Sequence, residues 1–152
     1  MTNPLTPPMP EGTIAWWFNL ALWLAGIANF CILAAGLQVP ARLNWKEELP
    51  RLSPFNQKLM RVYMLFIGLT IVCFGIFTLV FHNALLRGDP IALTVAGFMG
   101  FWWILRIAID AVYYNHNDWP KGPGFVAGHF LLTSTFVALA FTYTALIVWH
   151  FV

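Results

Sequence analysis

Four long apolar runs take up nearly the whole chain, at about residues 14–37, 59–82, 91–114 and 124–151. A helix needs roughly 20 apolar residues to cross the hydrocarbon core of a bilayer. Lipid offers no partner to an exposed backbone N–H or C=O, so runs of this length cross as helices. The connections between them are short, which makes successive helices antiparallel neighbours. The expected fold is therefore all-α: a polytopic four-helix transmembrane bundle running up-down-up-down, with residues 14–152 as one membrane domain.

Residues 1–13 read differently. They open MTNPLTPPMPEG, with four prolines and neither Lys nor Arg. That is the pattern of a flexible tail and not of a cleaved secretory signal.

Only 9% of the 152 residues are charged, against 60% hydrophobic, whereas soluble domains carry about 25% charge. Four spans with their loops leave no room for a separate soluble catalytic domain. The net charge of +2 comes from loop residues, so it bears on orientation and gives no reason to expect nucleic-acid binding.

Local signals mark the helix ends. Trp16 and Trp17 suit a membrane interface. Ser53-Pro54 offers a cap and a first-turn proline ahead of the second helix. Arg87-Gly88-Asp89-Pro90 reads as a turn, and Asn115 to Pro123 is a loop no helix would tolerate. In the first connection Asn44 is placed to cap a helix, with Glu47 three residues on. Leu43, Trp45, Leu49 and Leu52 could then lie on the membrane as a short interfacial helix; a polar loop with one helical turn fits the same residues.

Orientation follows from Lys and Arg near helix ends. Arg42, Lys46, Arg51, Lys58 and Arg61 cluster around the first connection and Lys121 falls in the third, against Arg87 alone in the second. The first and third connections are expected in the cytoplasm, with both termini outside.

The third run carries the residues most worth explaining. Arg106 and Asp110 stand four apart, on one helix face and within pairing distance. A charge near the bilayer centre costs at least about 2.5 kcal/mol, so such groups face protein or a water-filled cavity. Trp102 and Trp103 precede them, close enough for cation–π support of Arg106. Counting depth from the cytoplasmic ends puts Asn29 and His129 near the level of Arg106, and Tyr63 nearer the cytoplasmic end. The expectation is one polar layer of Asn29, Tyr63, Arg106, Asp110 and His129. It serves either as a clasp fixing helix register or as a functional site, a proton relay or a pocket for an anionic headgroup or quinone.

Two small-residue stripes suggest close helix packing, Ala92, Ala96 and Gly100 on the third helix and Gly124 with Gly128 on the fourth. Cys31 and Cys73 have no partner motif and are expected to pack as small hydrophobes. Bis-histidine haem between helices would draw on His82, His150 and His129, with His116 in a loop. His129 and His150 are 21 residues apart, roughly 31 Å along a helix, which puts the outer ligands almost in the headgroups. No cofactor is expected on this evidence, haem b or quinone being the alternatives. No catalytic, phosphate-binding or metal motif occurs, and of six carboxylates only Asp110 lies inside a span.

The loop Leu43-Asn44-Trp45-Lys46-Glu47-Glu48-Leu49, the Pro54-started helix and Trp103-xx-Arg106-xxx-Asp110-xx-Tyr113-Tyr114 together resemble small, functionally unassigned bacterial membrane proteins. The resemblance covers Leu43 to Tyr114. It implies the four-helix fold and a bacterial inner membrane, and no activity. The leading expectation for function is an accessory or assembly subunit that packs against another membrane subunit or a second copy. The rivals are a proton-coupled transporter or lipid/quinone-binding module using Arg106, Asp110 and His129, and a b-type haem redox protein.

Overall fold

A computed structural model describes residues 12–114 and 122–151. The proline-rich tail up to Glu11, His116 and Lys121 lie outside the described residues. Among the described residues seven α-helices follow in order: α1 (Thr13–Gly36), α2 (Val39–Arg42), α3 (Trp45–Glu48), α4 (Pro54–Val80), α5 (His82–Arg87), α6 (Pro90–Val112) and α7 (Pro123–Phe151), with a 3-10 turn at Leu49–Arg51. No strand occurs among the described residues. Residues 13–42, α4, α6 and α7 are each long and apolar enough to cross a membrane. The protein is an all-helical, four-helix membrane bundle.

Caps, and not hydropathy, decide where these helices begin. Ser53 Oγ accepts from the Asn56 N–H at 3.4 Å and Pro54 occupies the first turn, so α4 starts five residues before the apolar run at Leu59. Its polar opening turn is helical because a cap and a proline act on backbone geometry whatever follows. Asp89 Oδ1 likewise accepts from Ile91 N and Ala92 N at 3.0 and 3.2 Å, with Pro90 next.

Two connections depart from expectation. After α4 the chain re-enters a helix at once, so the residues from Asn83 onward form α5 in place of a loop. Gly88 closes α5 at φ 75°, and a Cβ there would lie 2.6 Å from His150 Nδ1. Both backbone and space therefore require glycine. At the other end α1 stops at Gly36 with Leu37 as its cap, as expected, but after a short turn α2 carries the span on to Arg42. Asn44 then turns the chain in the left-handed region, φ 50°. Its carbonyl accepts from Glu47 N and Glu48 N at 2.9 and 3.1 Å, while its side chain makes no cap bond. The helix of the first connection is thus a single turn, with Leu49 buried and Leu43 and Leu52 exposed.

The helices pack chiefly as two antiparallel pairs, α1 with α4 and α6 with α7, joined by α1 against α7. On the remaining side α4 meets α6 through Phe74, whose ring stands 6.0–6.3 Å from those of Phe98, Trp102 and Trp103. Tight packing is concentrated toward the end that carries α5. There Leu22, Leu85, Ala96, Met99, Tyr143 and Leu146 are fully enclosed. Toward the α3 end no residue of α4 from Pro54 to Thr70 is buried, nor any described side chain of α7 before Phe136. The bundle is closed at one end and splayed at the other.

Cys31 and Cys73, expected to pack inside, are both exposed. Cys73 lies on the outward face of α4 and Cys31 on the wall of a cavity between α1–α2 and α7, a matter of rotation that an apolar run does not encode.

Candidate functional site

Asp110 is buried near the α3 end, where the bundle holds little else of its own. One helical turn separates it from Arg106, and Arg106 Nη1 lies 3.5 Å from Asp110 Oδ1. The other carboxylate oxygen faces α7. There His129 and Thr133, four residues apart on one face, place His129 Nε2 at 3.2 Å and Thr133 Oγ1 at 3.4 Å from Oδ2. Thr133 Oγ1 and His129 Nε2 are themselves 3.3 Å apart. A hydroxyl has one proton to give. Donated to Asp110, it leaves Thr133 only able to accept from His129, which makes Nε2 the protonated ring nitrogen.

The carboxylate thus binds its own helix with one oxygen and the next helix with the other. Chemically the set can clasp α6 to α7, and the imidazole–carboxylate contact can pass a proton between them.

The guanidinium of Arg106 does not rest on Trp102 or Trp103. Its Cζ lies 5.2 Å from the Phe136 ring centre and 5.7 Å from that of Tyr114. Pairing with Asp110 draws it one turn away from the tryptophans. Trp103 instead stacks on Phe136 at 5.0 Å, and Trp102 meets Phe74 and Phe98. Cation–π support comes from α7 and from the end of α6.

Of the five residues expected in one layer, Arg106, Asp110 and His129 come together; Asn29 and Tyr63 do not join them. Tyr63 is 57% exposed on the splayed half of α4. Asn29 belongs to a second network. Its Nδ2 donates to Ala25 O at 2.8 Å and to Tyr143 Oη at 3.2 Å. Tyr143 Oη lies 2.8 Å from Thr78 Oγ1, which in turn donates to Phe74 O at 2.8 Å. Since the Thr78 proton is taken by that carbonyl, Tyr143 donates to Thr78 and accepts from Asn29. This chain ties α1, α4 and α7 in the closed half.

The misplacement of Asn29 has a plain cause. With α1 prolonged through α2, Asn29 stands 13 residues from Arg42, about 20 Å and not about 12 Å from that end. Sequence reading passed over Thr78, Thr133 and Tyr143. Thr133, four residues after His129, carried a usable signal; Thr78 and Tyr143 were polar atoms in apolar runs whose facing could not be read.

The two small-residue stripes also part company. Ala92, Ala96 and Gly100 are buried against α7, where a Cβ on Gly100 would meet Thr144 Oγ1 at 3.3 Å and Tyr143 Cβ at 3.4 Å. Gly124 and Gly128 have nothing within 4 Å of a Cβ, so among the described residues nothing packs against them.

Each of the three histidines considered for haem has its Nε2 directed at a protein atom. His82 Nε2 lies 2.6 Å from Asn19 Oδ1 and His150 Nε2 3.2 Å from Leu85 O, both at the α5 end, while His129 faces Asp110 at the α3 end. Among the described residues no three His, Cys, Asp or Glu side chains are grouped to hold a metal ion.

A cavity of about 360 Å³ opens between α1–α2 and α7 at the α3 end. Gln38, Arg42 and His129 supply its polar side chains near that end, and Cys31, Ile32 and Leu132 line it toward the bundle middle. Arg42 Nε and Nη2 donate to Gln38 Oε1 at 3.3 and 3.1 Å. His129 therefore belongs to the ionic cluster and to the cavity wall at once. No protein-family model, curated protein or solved structure matches this chain, so the site is read from its own geometry.

Proposed function

We propose that this protein is a non-catalytic subunit of a larger membrane assembly and that it receives a partner's transmembrane helix along the α3-end half of α4. The observation that carries this reading is the absence of any buried residue in α4 from Pro54 to Thr70. Apolar exposure alone is ordinary in lipid. Here, though, half of a span encloses no side chain, Leu59, Met64 and Gly68 on its inner face being only partly covered, with Phe55, Leu65 and Phe66 exposed to 72%, 69% and 62%. Helices associate in lipid through packing contacts, and that half of α4 has no fully buried side chain within its own chain. Aromatic side chains such as Phe55, Tyr63 and Phe66 are enriched where proteins meet. The Arg106–Asp110–His129 cluster then acts as the clasp that keeps α6 and α7 in register beside the open seam.

A photo-crosslinking residue at Leu65 or Phe66 tests this, with Phe141 as a control that is equally exposed, at 73%, on the closed half. A protein adduct of constant mass is expected from the two α4 positions and not from Phe141. An added 17.2 kDa would identify a second copy. Lipid adducts alone, or equal protein adducts from all three positions, would sink the reading.

The same proposal places the protein in a bacterial inner membrane, with the α3 end in the cytoplasm and the α5 end outside. In support, Arg42, Lys46, Arg51, Lys58 and Arg61 are all exposed near the α3 end, while the α5 end carries Arg87.

A further inference from the structure

The cavity between α1–α2 and α7 changes character along its length. At the α3 end its wall carries the guanidinium of Arg42, the amide of Gln38 and the imidazole of His129. Moving toward the bundle middle it becomes Ile32, Cys31, Leu131 and Leu132. Arg42 and Cys31 are 11 residues apart, about 16 Å along a helix. A site that is cationic at a helix end and apolar along the span matches a molecule with a charged head and a hydrocarbon tail, lying parallel to the helices.

Size and floor agree with this. A volume of 360 Å³ falls in the range of small-molecule sites, roughly 300–1,000 Å³. The floor on the α7 side includes Gly124 and Gly128, whose missing side chains leave open space over bare backbone. The charge selects the head: Arg42 is the cavity's fixed cation, and Gln38 steadies it through Nε and Nη2 while Nη1 offers two further donors. More cations, Lys46, Arg51 and Lys58, follow along the chain.

We propose that this cavity binds one anionic phospholipid, its phosphate at Arg42 and one acyl chain in the groove toward Thr135. The site is independent of the partner surface on α4, which lies on a different helix. Filling the cavity from Gly128 should remove the lipid and leave the fold, because a Cβ there has open space around it and leucine is the better helix former.

The test uses the full chain, stripped of lipid in detergent and offered phosphatidylglycerol, phosphatidylcholine or inorganic phosphate. Bound mass is read by native mass spectrometry and folding by thermal melting. The wild type should hold a single phosphatidylglycerol and prefer it to phosphatidylcholine by about fivefold, the factor expected for one arginine beside an anionic lipid. Gly128→Leu should melt like the wild type without lipid and lose the bound lipid. Arg42→Gln, a change at an exposed side chain, should bind both lipids and lose the preference. Inorganic phosphate should not displace the lipid. Equal lipid retention by Gly128→Leu, an unchanged preference in Arg42→Gln, or displacement by phosphate would each overturn the proposal. So would a dimer of the stripped wild type that Gly128→Leu abolishes, since the groove would then hold a second copy.

Discussion

At the scale of single residues, the chain places its polar side chains in two groups with different settings. Asp110 answers to three partners from two helices, and Tyr143 joins Thr78 to Asn29 across three. The four-residue spacing of Arg106 and Asp110 was legible because both lie on one helix, where spacing fixes geometry. His129 was legible by depth. Asn29 was not, because the first span runs on through α2 and sets it deeper; nor was Tyr63, since depth says nothing of rotation and Tyr63 turns out of the bundle. His82 at the α5 end supplies a test in solution. Its ring is buried against Asn19 and Trp23, and burial pushes the imidazole below its usual 6.5. The fold thus favours the neutral ring, and the unfolded chain takes up the proton first as pH falls. That stability is complete above about pH 6.5 and drains away below it, by at most about 1.4 kcal/mol per pH unit. The thermal midpoint of the wild type should drop between about pH 7.5 and about pH 5.5 more steeply than that of His82→Gln. Parallel curves would show that the buried ring carries no such linkage.

Among the helices, existence was easy to read and extent was not. Twenty apolar residues announce a span, but Ser53 and Asp89 start α4 and α6 by capping backbone N–H groups, which works equally well on polar residues. The continuation of α1 into α2 and of α4 into α5 has the same origin: polar or short segments become helical when they stack on a helix already formed. Packing between elements was legible only in part. The Ala92–Ala96–Gly100 stripe and the Gly124–Gly128 stripe look alike as patterns. One meets α7 at 3.3–3.4 Å, while the other faces the cavity between α1–α2 and α7, with nothing within 4 Å of a Cβ. Gly100→Leu should therefore overpack α6 against α7 and cost about 1–3 kcal/mol. Gly124→Leu should stay within about 0.5 kcal/mol of wild type. Unfolding midpoints of the two variants in one detergent check this directly; equal losses would mean that the splayed end closes in solution.

For the molecule as a whole, the asymmetry of basic residues yields a topology that labelling can decide. In a background free of Cys31 and Cys73, Asn83→Cys should react with a membrane-impermeant thiol reagent added to intact cells, and Glu47→Cys should not. Both positions are exposed in the fold, so a reversed pattern would reverse the orientation. The four-helix architecture itself followed from hydropathy. The division into a closed and a splayed half did not, since Met64 to Leu69 of α4, none of them buried, are as apolar as the stretch where Phe74 and Thr78 are enclosed. That division also governs how freely the sequence can drift. Leu139 and Leu131 sit eight residues apart on α7 with the same hydropathy, yet one is 2% exposed and the other 70%. At the α5 end each side chain is constrained by the shape of its neighbours, and a change of volume is felt at once. At the α3 end it need only remain compatible with lipid or with whatever occupies the seam, so tolerance to substitution should rise along the membrane normal and not with hydrophobicity.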